Sequence, residues 1–491
     1  MISLILFFIF LVALFFVQSA KFRVFGVVLT FLFLVITIFN YTAYFYTGHF
    51  LNLSLINLLA ISLEGAPMMS FWREILIVVL VLVCVVLFCI MLWQRLKRRE
   101  NSIKFCAILA IASYILAIVF NPLTKSCVEI FQILNPKYHK EARAMLQKYI
   151  VKPKINPNFK NKNIVYIYLE SFSRDFTTEF VGLTPNINAL TNRLDFTNIN
   201  QLSGVWGGAS VTIEGLFASQ CAFPFGFFRK PKKGENTVAE AKKVNFPTKI
   251  SCATQILQDQ GYYTYFIKGA PLNYQRTKEL LSNQNYNETK GFDELKNQGA
   301  KSKNEWGVDD DEMFEFAWRD FERLSQRGDK FIQVVLNVGM HVPNGFISKS
   351  CENLAFPYNE KMLKAVHCTD YLVGKFIGKI RSSQYGKNTI IVIQSDHLMP
   401  YTFTDIKDEN LEDSKLFFTI LDDDIAGVQK VENYGSSLDT FTTFLGYIGV
   451  IDKMNLGRNI LKIPSINSEQ DIRYIYNTAI SSFDDLDYKE R

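Results

Sequence analysis

The chain has 491 residues, too many for one average domain, and its 49% hydrophobic content crowds into the first quarter. A net charge of +6 with no long basic block argues against a nucleic-acid partner. The densest basic stretch of the later part (Arg229, Lys230, Lys232, Lys233, Lys242, Lys243) contains Pro231 and Gly234 and reads as a solvated loop.

Four apolar runs come first, at 2–18, 24–46, 74–93 and 105–120. The second and third are long enough to span hydrocarbon at 1.5 Å per residue. The first lacks a positively charged start and a small-residue cleavage site, and another apolar run follows after only Lys21 and Arg23. A membrane bundle is therefore expected rather than a signal peptide, with a four-helix transmembrane anchor over residues 1–122. Basic residues in short loops set the orientation. Arg95, Lys97, Arg98, Arg99 and Lys104 follow the third run, and Lys21 and Arg23 lie between the first two. Four spans put both loops in the cytoplasm and everything after Phe120 outside.

Residues 123–160 are expected to form a helical connector, with helical spacing from Glu141 to Ile150 that Pro153 and Pro157 break. Residues 161–491 then read as one catalytic domain. Asn163–Leu169, Phe331–Val338 and Thr389–Gln394 are apolar, β-branched runs of the kind found in strands covered on both faces, and Tyr262–Ile267 is a weaker one. Helical patterns at 251–260, 310–326 and 363–382 lie between them. The alternation predicts an α/β domain, a mainly parallel sheet flanked by helices.

In such a sheet ligand-binding groups gather at the carboxyl ends of the strands. The three best strands lead into Glu170-Ser171, His341 and Ser395-Asp396-His397. A glutamate ending a strand is ordinarily a cap or a solvated residue, and an Asp-His pair equally serves a turn. Two of only five histidines at strand ends raise the set above that background. Carboxylates, an imidazole and a nearby hydroxyl suit a divalent metal, which lowers the pKa of a hydroxyl and polarises a phosphoryl oxygen. The hydroxyl is expected from the glycine-rich segment 204–219, where a helix start would aim free N–H groups at an anion. Ser210 and Thr212 are both candidates, each as nucleophile or as N-cap, and local physics does not choose between them. Lys268 and Arg276 follow the strand at 262–267 and are candidates to hold phosphate charge.

Cys84, Cys89 and Cys106 lie in the apolar runs, with Cys127 just past the last; Cys221, Cys252, Cys351 and Cys368 lie in the globular part. In an oxidising compartment four cysteines permit two disulfides. Sequence order favours Cys221–Cys252 and Cys351–Cys368, with two other pairings open.

The globular half resembles the alkaline-phosphatase superfamily, in the branch of lipoteichoic acid synthases and lipid A phosphoethanolamine transferases. It is most similar to the phosphoglycerol transferase I group, which decorates osmoregulated periplasmic glucans. The likeness is carried between Tyr166 and Leu461 by Tyr168-Leu-Glu-Ser171, Thr212-Ile-Glu-Gly-Leu-Phe-Ala-Ser-Gln-Cys221, Trp306-Gly307, His341-Val-Pro-Asn-Gly-Phe346, Ser395-Asp-His-Leu398 and Leu456-Gly-Arg458. It implies one divalent metal (Mn, Zn or Mg) on Glu170, Thr212, Asp396 and His397, with Thr212 the nucleophile and His341 contacting the transferred phosphate. It further implies a bacterial inner-membrane enzyme with a periplasmic catalytic domain, a phosphatidylglycerol donor and a glycan acceptor. Phosphoethanolamine transfer to lipid A or another glycan is the alternative. Two departures stand out: Gly339 where close relatives carry an acid, and Val342 in place of a second histidine. A sulfatase reaction is disfavoured, because Cys221-Ala-Phe-Pro224 has its proline one place too late for a formylglycine motif. A non-catalytic membrane scaffold would have no need of all four metal-site residues.

Overall fold

The computed structural model describes residues 2–47, 50–51, 72–97, 105–134, 144, 146–202, 209–225, 250–401, 404–406 and 413–466. Gly204–Gly208, the basic stretch 229–243, Arg98, Arg99, Lys104 and connector residues 135–143 lie outside the described residues. The chain divides into two compact units, one holding the described residues up to Leu134 and the other those that follow.

The first unit contains α1 (Ile2–Leu14), α2 (Ala20–Thr47), α3 (Trp72–Lys97), α4 (Phe105–Val119) and α5 (Pro122–Leu134). Two stretches, Ala20–Phe45 and Ile75–Lys97, are long and apolar enough to cross a membrane. Their outward faces carry Phe25, Val28, Leu80, Leu87 and Ile90, an apolar surface that water would not favour and lipid does. This is a membrane protein. The first and fourth apolar runs give shorter helices. α1 has 13 residues, about 20 Å at 1.5 Å each. α4 bends by 60° into α5, because Pro122 has no N–H to continue the ladder and disfavours helical geometry in the residue before it. Asn121 caps the new helix by accepting from Leu123 N–H at 3.0 Å. Inside the unit, Ser3 Oγ donates to Ala117 O at 2.7 Å, and Phe7 stacks on Phe33 with centroids 4.0 Å apart.

The second unit is built on an eight-stranded sheet: β1 (Asn163–Leu169), β2 (Arg193–Phe196), β3 (Tyr263–Lys268), β4 (Glu288–Lys290), β5 (Phe331–Leu336), β6 (Thr389–Ser395), β7 (Phe418–Leu421) and β8 (Val428–Val431). Their order is β4-β3-β5-β1-β6-β7-β2-β8, and every neighbouring pair is parallel except the two made by β7. This is the expected α/β class, a mainly parallel sheet flanked by helices.

Strand β1 shows why it sits in the middle. All seven residues are buried, and period-two alternation sends them to two different cores. Ile164, Tyr166 and Tyr168 pack with residues of α6 (Thr212–Cys221), α7 (Ala253–Asp259) and α10 (Thr440–Tyr447). Val165, Ile167 and Leu169 pack with α8 (Asp310–Gln326) and α9 (Lys361–Ser382). Both favoured disulfides form: Cys221–Cys252 joins the end of α6 to the residue before α7, and Cys351–Cys368 ties a loop onto α9.

Candidate active site

Strands β1 and β6 run in register to Leu169 opposite Ser395, so Glu170 and Asp396 emerge side by side. The chain then turns sharply at Ser171, whose φ of 52° lies in the left-handed region. That turn lets Ser171 N donate to Asp396 Oδ1 at 2.8 Å and Ser171 Oγ to Glu170 Oε1 at 2.9 Å. On the other side of β1, Asn337 just past β5 accepts from Glu170 N at 2.8 Å.

The third contributor is α6, which starts at Thr212. Its approach depends on Gly215, where a Cβ would stand 2.0 Å from the Asp396 carbonyl oxygen. The structure separates the two candidate hydroxyls. Thr212 Oγ1 points into the cluster and donates to Glu170 Oε2 at 3.1 Å. Ser210 turns to Glu214, with its Oγ and N at 3.1 and 3.2 Å from Oε2. The residue before the helix is Val211, which supplies no side-chain cap; Ile213 N donates instead to Gln275 Oε1 at 3.1 Å.

Glu170, Asp396 and His397 each offer a ligand atom within 4.8 Å of the others, and all three are buried. His397 Nε2 lies 3.2 Å from Glu170 Oε1 and 3.6 Å from Asp396 Oδ2. Its Nδ1 is 2.9 Å from Leu398 O. A carbonyl can only accept, so Nδ1 carries a proton and Nε2 is left to face the carboxylates. Asp396 Oδ1 takes two amide hydrogens, from Ser171 and from His397 at 2.6 Å. Its Oδ2 is buried and accepts no hydrogen bond from any described residue. A buried carboxylate oxygen without a donor is destabilising unless a cation faces it.

Electrostatics point the same way. Burial would raise Glu170, but the charges of His341 and His397 outweigh it and hold Glu170 at about 2. Burial and the Glu170 charge push Asp396 well above the usual carboxylate range. Burial would lower His397, yet Asp396 and Glu170 raise it to about 10. The three side chains thus demand positive charge at one point between them. A proton on Nε2 supplies it to one, whereas a divalent ion supplies it to all three, so the donor set fits such an ion.

Lys268 ends β3, is 1% exposed, and donates to Thr277 Oγ1 at 2.8 Å. Burial brings it down to about 7 against the pull of Glu170. The half-buried His341 is lowered by burial, and Glu170 opposes the shift. Its ring stacks on Trp306 with centroids 3.6 Å apart, and its Nδ1 lies 2.9 Å from Val342 O. The Arg276 guanidinium pairs with Glu279 at 3.4 Å. Gln275 and Asn337, which the sequence reading missed, hold α6 and Glu170 in place. Asn337 is an amide directly past a strand, whereas Gln275 sits in a short turn, Tyr274–Arg276, seven residues beyond β3 and carries no such signal.

Residues 162–450 match the sulfatase family, and residues 1–141 match the phosphoglycerol transferase I N-terminal domain. The chain is 31% identical over 453 residues to phosphoglycerol transferase I of Citrobacter koseri, covering 89% of this chain and 56% of that protein. The same figures hold for phosphoglycerol transferase I of Salmonella choleraesuis. The chain thus spans about half the length of these relatives. Among solved structures, a protein of the alkaline phosphatase superfamily from Vibrio parahaemolyticus superposes with a TM-score of 0.52 at 22% identity, covering 67% of this chain and 79% of that one.

Proposed function

Because the chain belongs to the sulfatase family, we propose that it transfers a phospholipid headgroup, the phosphoglycerol of phosphatidylglycerol, to a hydroxyl of a periplasmic glycan, with Thr212 as nucleophile. The observation that carries this reading is the Thr212 hydroxyl hydrogen-bonded to Glu170 inside the buried Glu170, Asp396, His397 cluster. The choice of phosphoglycerol over phosphoethanolamine is supported by the likeness to the phosphoglycerol transferases I.

Glu170, Thr212, Asp396 and His397 would hold the divalent ion, whose chemistry is to make a hydroxyl more acidic and to draw charge from a phosphoryl oxygen. In the first half-reaction a bond forms from Thr212 Oγ1 to phosphorus, and the bond to the diacylglycerol oxygen breaks. Diacylglycerol leaves as the alcohol, its proton replacing the one lost from threonine. In the second, the acceptor hydroxyl oxygen attacks phosphorus, the threonine ester opens, and Thr212 regains its proton. His341, which would contact the transferred phosphate, would also move protons in both halves. With Nδ1 donating to Val342 O, its Nε2 can take the acceptor's proton or return one to a leaving oxygen. Lys268 supplies a charge that burial makes easy to lose or regain near neutral pH.

The N-terminal unit is read as a four-segment anchor over 1–122 joined by a connector over 123–160 to a periplasmic domain. In its support, Arg23 Nη1 donates to Leu96 O at 2.6 Å, which sets Arg23 at the same end of the bundle as Arg95 and Lys97. Charges gathered at one end are what the positive-inside rule requires.

Thr212→Ala tests the reading. As nucleophile, its loss lowers transfer by orders of magnitude at unchanged expression, whereas a merely structural threonine would cost about 1 kcal/mol and leave turnover. Peptide mass spectrometry of a trapped adduct on Thr212 would also tell phosphoglycerol from phosphoethanolamine. Near-normal transfer by the alanine variant would defeat the assignment.

A further inference from the structure

We infer that Asp310 is a positioning residue that sets the metal ligand Glu170 through Asn337 and the His341 loop through the Val338 and Gly339 amides. It rests on the metal-site reading above. Strands β1 and β5 pair in parallel as far as Tyr168 opposite Leu336 and then part. Amides just past that point lose their strand partners, and buried amides need replacements. Asn337, fully buried, accepts the Glu170 N–H on its side-chain oxygen at 2.8 Å. An amide side chain is symmetric enough to swing over, so its orientation has to be fixed from its other end. Asp310 does this: its Oδ2 accepts from Asn337 Nδ2 at 2.9 Å. The same carboxylate takes Val338 N on Oδ1 at 2.8 Å and Gly339 N on Oδ2 at 2.9 Å. One buried side chain, 2% exposed, thus ties the first turn of α8 to three consecutive residues after β5 and, through one of them, to Glu170.

The chemistry of the residue types is specific. All three partners are donors, which a carboxylate satisfies and an amide cannot. At position 339 a Cβ would fall 2.4 Å from Asp310 Oδ2, so glycine is what leaves room for the carboxylate. His341 follows two residues later, its N–H on Val338 O at 3.0 Å, so the loop that carries it hangs on the same brace.

Asp310→Asn, nearly isosteric, should weaken Mn²⁺ binding to the full chain in detergent by roughly 10- to 100-fold, the usual scale for residues that orient metal ligands. kcat should fall more than the donor KM. Hydrogen exchange at the Glu170 and Gly339 amides should speed up, a signature that a general loss of stability would not confine to those sites. Gly339→Ala keeps Asp310 but expels its carboxylate, and should show the same pattern. Asp310→Asn with Asn337→Ala should be no worse than the more damaging single change, because both cut one path. Unchanged Mn²⁺ affinity and unchanged exchange at Glu170 in Asp310→Asn would overturn the inference, and so would effects that multiply in the double variant. Failure of the unaltered protein to bind Mn²⁺ or Zn²⁺ would instead overturn the metal reading, and exchange at Glu170 would then decide the brace alone.

Discussion

Gly215→Ala separates two effects that a sequence alone would rank wrongly. In a helix interior the change should help, by about 1 kcal/mol of propensity. In this helix the new methyl would sit 2.0 Å from the carbonyl oxygen of Asp396, and 2.8 Å from its carbon. Carbon–oxygen contacts under 3.0 Å are essentially never made, so α6 and the Asp396 loop must part by about 1 Å or more. Both are backbone, so no flexible side chain can give way. Overpacking of this kind typically costs about 1–3 kcal/mol, which cancels or exceeds the propensity gain. The functional effect should be larger than the thermal one, because the displacement opens the gap between Thr212 and the Asp396, His397 pair. A misplacement near 1 Å can lower a rate by about 100-fold. Headgroup transfer from radiolabelled phosphatidylglycerol, Mn²⁺ affinity and thermal unfolding should be measured on one preparation. The expected result is a small change in melting temperature beside a large loss of transfer. A variant with normal transfer and normal metal affinity would show that this contact does not set the site.

Three further outcomes can be checked. Burial outweighs three hydrogen bonds and lifts Asp310 to about 6, above the ordinary 3.8 of an aspartate, so the unfolded chain loses that proton first. Its contribution to stability should therefore fall as pH rises from about 4 to about 6, by up to about 3 kcal/mol, and Asp310→Asn should flatten that part of the unfolding profile; equal slopes in the two proteins would contradict the burial argument. Reduction of Cys221–Cys252, which spans 31 residues, and of Cys351–Cys368, which spans 17, should remove at most about 4 and 3 kcal/mol on the loop-entropy model; thiol alkylation of the unreduced protein at these four positions would show that the pairs are absent. A reporter active only in the periplasm should be silent when fused near Lys97 and active when fused after residue 466, and activity at Lys97 would reverse the proposed orientation.

The strands that were legible in advance are the central ones. β1, β5 and β6 are buried along their whole length, so their composition is set by burial alone and shows as continuous apolar runs. β2 (Arg-Leu-Asp-Phe) and β8, whose residues are mostly exposed, carry no such signature. They become strands because a neighbour offers its edge. The helix boundaries at 310–326 were readable, and those of α9 nearly so, since an amphipathic stripe needs only local spacing. The fourth apolar run forms a 15-residue helix that Pro122 turns by 60° into the next one, a bend that apolar content does not reveal.

For the site, Glu170, Asp396 and His397 could be named from the sequence because each directly follows a central strand, and parallel strands all end on one side. Thr212 could not be told from Ser210 by local physics, as both flank the same helix start. Its hydroxyl meets Glu170 across 42 positions of chain, a meeting that depends on how closely α6 approaches the sheet. Asp310 is the middle one of three consecutive aspartates at a helix start, Asp309, Asp310 and Asp311, each suited to the helix dipole. Only packing decided which of the three turns inward to brace the loop after β5. Sequence by itself determined which faces are buried and which residues leave the sheet at its active edge, because burial acts position by position. Which side chain reaches which partner was decided by tertiary structure, because hydrogen bonds are resolved at tenths of an ångström between segments far apart in the chain.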